Sequence, residues 1–299
     1  MAATPASNMI KSPTIEFDDS GYWYLTDAGY MSETDTVHVC HVYDAAGNRI
    51  LWLDGGDSDR EAHFDQLRVA GRRLARRCNF GQEMTAVLFR SSQLSRAMFW
   101  NPDGTEEGVC GNAIRCAAHF ISKESAPIDK ISIETPHGIY LSRKLDIDHG
   151  SVIMPVHTIR IETKWINGDL LVNVGTPHRI RLVTEEWPED GVREAIACSK
   201  GCDPMNFDLV RKIGPFHFRA RIFERGVGET ASCGTGAAAI VAALGELGPD
   251  SADRERPHLI EFASGEQLNV IYNRSLDSIE ICGRVGLLSA FLIPHLNAI

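Results

Sequence analysis

The sequence predicts an α+β protein, rich in antiparallel strands and poor in helices, built as two related halves. Three observations carry this. Short strand-like stretches recur at hairpin spacing with turn residues between them. Few stretches have helical periodicity, and they do not alternate with the strands as a parallel sheet requires. Two of the helices open on the same Cys-Gly pair, at Cys110 and Cys233, 123 residues apart.

In chain order, residues 1–20 read as a mobile or loosely attached arm. From Trp23 the pattern is strand-like, and Thr36 to Tyr43 alternates up to a turn at Asp44-Ala-Ala-Gly47. Asp59 to Cys78 reads as a helix with Phe64, Leu67, Leu74 and Cys78 on one face. Val87–Phe89 and Ala97–Trp100 read as strands that feed the turn Asn101-Pro-Asp-Gly104. A small-residue helix follows from Asn112 to about Ser122. Next come short strands at Ile131–Glu134, Ile139–Ser142 and Val152–Val156, and a pair around Asn167-Gly168. Phe216 to Phe223 alternates strictly and runs into Glu224-Arg-Gly-Val-Gly228. An alanine-rich helix after Cys233 stops at Gly248-Pro249. A glutamate stands four residues before each of the two cysteines, Glu106 and Glu229, which strengthens the reading of an internal duplication.

A net charge of -10 argues against nucleic-acid and anionic-membrane partners. No targeting signal opens the chain, and no stretch approaches the ~20 apolar residues of a membrane span. A cytoplasmic location is therefore expected, where thiols stay free unless they serve metal or chemistry. Cys40, Cys78, Cys116, Cys198, Cys202 and Cys282 read as packing residues. Cys198-Ser-Lys-Gly-Cys202 lacks a second Cys/His pair at metal spacing, so no metal is expected. Gly226-Val-Gly228 faintly suggests a dinucleotide fingerprint, but the third glycine position is Ala231.

A lone cysteine in a small-residue helix is usually a core residue; the duplicated context reverses that for Cys110 and Cys233. A thiol at a helix N-terminus sees unpaired N–H groups and the positive end of the macrodipole, both of which favour thiolate. The same N–H groups bind a carboxylate. Two such entrances face to face hold an α-amino acid by its carboxylate with its α-carbon between two sulfurs. One thiolate removes the α-proton, the opposite thiol returns one to the other face, and the amides carry the charge that develops. Neither a cofactor nor a metal enters this scheme.

At these motifs the sequence resembles the diaminopimelate epimerase family, which works without pyridoxal. The likeness rests on Phe99-Trp-Asn-Pro-Asp-Gly-Thr-Glu-Glu-Gly-Val-Cys-Gly-Asn-Ala-Ile-Arg-Cys116 and, more specifically, on Phe223-Glu-Arg-Gly-Val-Gly-Glu-Thr-Ala-Ser-Cys-Gly-Thr-Gly236. It extends weakly from about Tyr24 to the end. It implies two pseudo-symmetric domains, each an antiparallel β-barrel-like sheet around a central helix, with the site in the cleft between them. Residues 1–136, completed by 285–299, would form one domain, and 137–284 the other. The last strand, around Leu287 to Ile293, would return to the first domain. Cys110 and Cys233 match the catalytic pair, and Gly111, Asn112, Gly234 and Thr235 the positions holding the reacting carboxylate. Asn101, Asn206 and Arg225 match contacts to the distal amino-acid head, Glu224 a substrate-contacting acid, and His178 a supporting histidine. On chemistry alone, Glu224 and Arg225 could form a surface ion pair, and Asn101 could cap its turn.

The departures lie in the substrate shell. Ala28 to Thr34 replaces a segment bearing a substrate-contacting asparagine, and Gly81 to Ala86 replaces a glycine-rich one. Thr176 stands where the family has a distal-head asparagine, and Ala113 where it has glycine. The resemblance implies epimerisation of LL-diaminopimelate to the meso form, a step of lysine biosynthesis. A racemase of another polar amino acid, such as histidine, is the alternative that the departures favour. An amino-acid-binding protein without catalysis is a third reading, disfavoured by the retained cysteines. A small-molecule amino acid is the expected partner, and a homodimer stays open.

Overall fold

The computed structural model of the chain describes residues 11–17, 23–30, 38–56, 61–77, 81–91, 94–122, 128–155, 162–166, 168–201, 205–247, 255–273 and 275–293. The first half runs β1 (Lys11–Phe17), β2 (Trp23–Tyr30), β3 (His38–Ala45), β4 (Asn48–Asp54), α1 (Glu61–Arg77), β5 (Met84–Phe89), β6 (Ser95–Trp100), β7 (Glu106–Glu107), α2 (Gly111–Ile121), β8 (Ile128–Thr135), β9 (Gly138–Lys144) and β10 (His149–Pro155). The second runs β11 (Glu162–Ile166), β12 (Asp169–Asn173), β13 (Pro177–Leu182), α3 (Glu189–Lys200), β14 (Asn206–Gly214), β15 (His217–Glu224), β16 (Gly228–Glu229), α4 (Gly234–Leu247), β17 (His258–Phe262), β18 (Gln267–Asn273), β19 (Ser278–Arg284) and β20 (Gly286–Ile293). The class is α+β and dominated by strands, and the sheet that links them stays open.

The two halves repeat one pairing pattern. In the first, β4 pairs parallel with β5 across α1, β5 antiparallel with β6, β6 with β7, and then, after α2, β6 parallel with β8 and β8 antiparallel with β9. The second repeats this with β13, α3, β14, β15, β16, α4, β17 and β18. Even an ion pair recurs: Arg96 meets Glu134 at 2.6 Å across β6 and β8, and Arg219 meets Glu261 at 3.1 Å across β15 and β17. The halves join where β10 pairs with β19, and β20 pairs back onto β3.

The two helices that follow the cysteines are covered on every side over their middle turns. Residues Asn112 to Phe120 of α2 are all buried, as are Ala237 to Ala243 of α4, and both helices sit in one shared core. The other helices lie on separate patches. Helix α1 sets Leu67, Ala70 and Leu74 against Val87, Phe89 and Trp100, while α3 packs against Phe207, Leu209 and Phe223.

Two sequence readings need correction. Residues 11–17 are not a loose arm but a strand, paired antiparallel with β2 and touching β20 through Thr14 and Leu292. Helix α3 was not expected, because its buried face is Gly191, Ala195 and Ser199, a helical row without a large apolar residue. Residues Cys78, Asn167, Cys202, Gly248 and Pro249 lie outside the described residues.

Candidate active site

Both cysteines sit where a strand, a tight turn and a two-residue strand deliver the chain to a helix. In the first half the turn after β6 closes through Gly104 N–H to Asn101 O at 2.8 Å, with Gly104 in the left-handed region at φ 79°. Cys110 then takes the N-cap of α2 in an extended conformation, and its carbonyl accepts the Ile114 N–H at 2.9 Å. In the second half the Val227 N–H closes the turn onto Glu224 O at 3.1 Å. The Cys233 carbonyl accepts the Ala237 N–H at 3.0 Å. Gly226 and Gly228 both have positive φ, so the Gly-Val-Gly string serves a turn.

Unpaired N–H groups of each first helical turn reach the sulfurs. Gly236 N–H points at Cys233 Sγ at 3.4 Å, and the amides of Asn112 and Ala113 act on Cys110 in the same sense. Burial opposes them. It pushes the Cys110 thiol up to about 11 and Cys233 well above the thiol range, with negative Glu224 adding to both rises. Glu224 is itself raised by burial, and its Oε1 accepts from the Thr230 hydroxyl at 2.7 Å. The charge of Glu224 thus acts on both thiols.

Behind Cys233 runs a hydrogen-bonded chain. Its Sγ lies 3.3 Å from Thr235 Oγ1, which lies 3.1 Å from His178 Nε2, and His178 Nδ1 lies 2.8 Å from Asp208 Oδ2. His178 and Asp208 are wholly buried. A carboxylate on Nδ1 fixes the proton there, leaving Nε2 to accept from Thr235. The parallel register of β13 and β14 builds this chain, setting His178 opposite Asn206 and Ile180 opposite Asp208. Close approach of α4 completes it: a Cβ on Gly236 would stand 2.6 Å from Ile222 Cδ1 and 3.4 Å from His178 Cε1.

The two helix entrances meet. Asn112 Oδ1 lies 3.9 Å from the point a Cβ on Gly234 would occupy, and it is buried with no hydrogen-bond partner among the described residues. Asn206 Oδ1 accepts the Arg225 N–H at 2.9 Å and thereby ties the turn after β15 to β14. Arg225 is exposed and makes no ion pair with Glu224, which accepts from Thr230 instead. Asn101 Nδ2 donates to Thr105 Oγ1 at 3.1 Å inside its own turn. Thr176 lies in the bend before β13, and no hydrogen bond joins it or Asn101 to the cysteines among the described residues. Cys40 and Cys116 are buried, and Cys198 and Cys282 partly so.

Sequence reasoning missed Asp208, Thr230 and Ser232. Asp208 leaves a trace, an acid inside the apolar run Phe207 to Val210. Ser232, next to Cys233, joins the halves: Asn48 Nδ2 donates to its carbonyl and hydroxyl oxygens, both at 2.9 Å, and its hydroxyl donates to Ala46 O at 2.6 Å.

Comparison with known proteins gives consistent answers. The family model described as diaminopimelate epimerase matches residues 170–276. A diaminopimelate epimerase of Alkalilimnicola ehrlichii is 30% identical over 220 residues, covering 65% of this chain and 78% of that protein. One from Hydrogenobaculum is 30% identical over 66% of this chain and 79% of its own length. Among solved structures, a hydroxyproline epimerase from Agrobacterium vitis superposes with a TM-score of 0.56 at 14% identity, covering 86% of this chain and 91% of that one. A PhzF-family phenazine biosynthesis protein from Enterococcus faecalis gives 0.58 at 12% identity, covering 86% and 99%. At those identities the structural likenesses speak for the fold.

Proposed function

Because the chain belongs to the diaminopimelate epimerase family, and is thus an isomerase, we propose that it epimerises an amino acid by passing its α-proton between Cys110 and Cys233. The observation that carries this is the meeting of two cysteine-bearing helix entrances, with the charge of Glu224 acting on both thiols. The cleft would lie between residues 1–136, completed by 285–299, and residues 137–284.

The substrate carboxylate binds the free N–H groups that begin at Gly111, Asn112, Gly234 and Thr235. Its α-carbon then lies between the sulfurs. One thiolate takes the proton, negative charge spreads onto the carboxylate, and the fixed amides hold it. The other sulfur delivers a proton to the opposite face. When Cys233 is the base, its S–H bond is polarised through Thr235 toward His178, and Asp208 holds the imidazole in the accepting tautomer. Glu224 receives the substrate ammonium, which removes the negative field that keeps both thiols protonated.

LL-diaminopimelate is the first substrate to test, with Asn101, Thr176, Asn206 and Arg225 around its distal head. Exposed Arg225, with no carboxylate paired to it among the described residues, favours it, because such a guanidinium suits a second carboxylate. Replacement of asparagine by Thr176 favours a different polar amino acid, such as histidine. Incubation in D₂O with diaminopimelate and with single L-amino acids, read by mass spectrometry, separates the two. Deuterium at an α-carbon of diaminopimelate after dialysis against EDTA supports the first reading. Deuteration of a one-headed amino acid alone selects the second, and none with any substrate leaves a binding protein.

A further inference from the structure

Gly108, two residues before Cys110, is a glycine for reasons of space and not of backbone. Its φ is not positive, so its conformation would accept a side chain. The surroundings would not. A Cβ there would stand 2.2 Å from Cε1 and from Nε2 of His137 and 2.5 Å from Cδ2, so the imidazole fills the place of a side chain at 108. His137 belongs to the turn between β8 and β9. Thr135 holds that turn, its Oγ1 accepting the His137 N–H at 3.2 Å and donating to Gly138 O at 3.0 Å. On the other side, the Gly108 N–H reaches Glu107 Oε1 at 3.0 Å, and Arg68 grips Glu106 through two bonds of 2.7 and 2.8 Å.

The second half repeats the device with different chemistry. The turn between β17 and β18, counterpart of the β8–β9 turn, presents Ser264, whose hydroxyl donates to Ala231 O at 2.6 Å. Ala231 stands two residues before Cys233, as Gly108 does before Cys110. In both halves, then, the hairpin turn that follows the cysteine helix returns to hold the loop that precedes the cysteine. The same contact made by unrelated side chains points to the place held rather than to the residue holding it. We infer that His137 and Ser264 are positioning residues for Cys110 and Cys233, each acting through the loop backbone to fix where its sulfur stands. This rests on the two-cysteine reading above.

A proton passed between two sulfurs across one α-carbon tolerates little error, since a misplacement of about 1 Å can cost on the order of 100-fold in rate. Cys110 is the extended N-cap of α2, so its sulfur follows the backbone of the residues just before it. A glycine in that stretch is the most permissive residue available, and the imidazole laid against it removes the slack. The Cys233 loop has further ties, from Thr230 to Glu224 at 2.7 Å and from Asn48 to Ser232 at 2.9 Å. His137 therefore matters more at its entrance than Ser264 does at the other.

The test reads each entrance separately by amide hydrogen exchange with peptide mass spectrometry. The reaction is read by α-deuteration in D₂O of diaminopimelate, or of whichever single L-amino acid the wild type deuterates. In His137→Ala, peptides spanning 106–112 should exchange about tenfold faster while those spanning 229–235 stay unchanged. Its kcat should fall about tenfold with KM within about twofold of wild type. His137→Phe refills the space and should restore most of both. Ser264→Ala should speed exchange only in 229–235 and lower kcat less. Gly108→Ala evicts the ring, so it should act as His137→Ala does and add almost nothing when the two are combined. An unchanged kcat in His137→Ala, faster exchange spread over both loops, or additive losses in the double variant would overturn the inference. Exchange needs no substrate: loops that respond as expected in a protein that deuterates no amino acid would sink the two-cysteine reading instead.

Discussion

Among the described residues Asp208 accepts a hydrogen bond on Oδ2 alone, and its buried Oδ1 has no partner there. Its work is concentrated on the His178 tautomer. Asp208→Asn puts an amide against Nδ1 and allows the ring to carry its proton on Nε2, where it can no longer accept from Thr235. The expected loss is about 100-fold in kcat with KM nearly unchanged, by the logic of a triad carboxylate. An unaltered kcat would remove His178 from the proton path. The cysteines were legible in the sequence because each heads a repeated string of backbone-determined function. Asp208 was not, because its partner lies 30 residues upstream and meets it only through the parallel pairing of β13 with β14 across α3. Asn101 shows the reverse case: its string is legible, while its side chain turns to Thr105.

Elements bring these residues together by close approach. Helix α2 reaches β10 because Gly150 has no side chain: a Cβ there would stand 2.6 Å from the Arg115 carbonyl oxygen and 3.2 Å from that of Arg143. Both are backbone atoms and cannot swing aside. Gly150→Ala should therefore cost about 1–3 kcal/mol of stability, measured as a lowered denaturant midpoint. A midpoint equal to wild type would show that α2 is less tightly seated. Helices α1, α2 and α4 were readable from apolar periodicity or small-residue runs. Helix α3 was not, since Gly191, Ala195 and Ser199 bury no large apolar side chain, and packing against Leu209 and Phe207 decides its position.

The whole molecule is a duplicated strand–helix pattern with both α2 and α4 in one core, and the halves are joined beside Cys233 by Asn48 and Ser232. Burial that protects the chemistry has a pH consequence. In the fold Cys110 and Cys282 are held up at about 11 and Cys116 at about 12, above an ordinary thiol. A group raised in the folded state contributes stability that is complete below its unfolded value and lost as pH climbs through the folded one. Unfolding free energy should thus fall from about pH 9 toward about pH 12, the window those thiols define. Urea midpoints across that range check it, and a flat profile would mean that the thiols are more hydrated than their burial implies. Charge and composition said nothing of this, because it depends on where the core closes.

The division of labour between the two sulfurs is the central claim, and the single-cysteine variants test it most directly. Given amino-acid analogues with a β-leaving group, a surviving thiolate removes the α-proton from the one face it addresses, and the leaving group departs without need of a second acid. Cys110→Ser and Cys233→Ser should each lose net epimerisation, an alcohol being a far weaker base at neutral pH. Each should still eliminate from one stereoisomer, and the two variants should choose opposite ones. Elimination from the same stereoisomer by both, or wild-type epimerisation by either, would contradict a proton passed between Cys110 and Cys233.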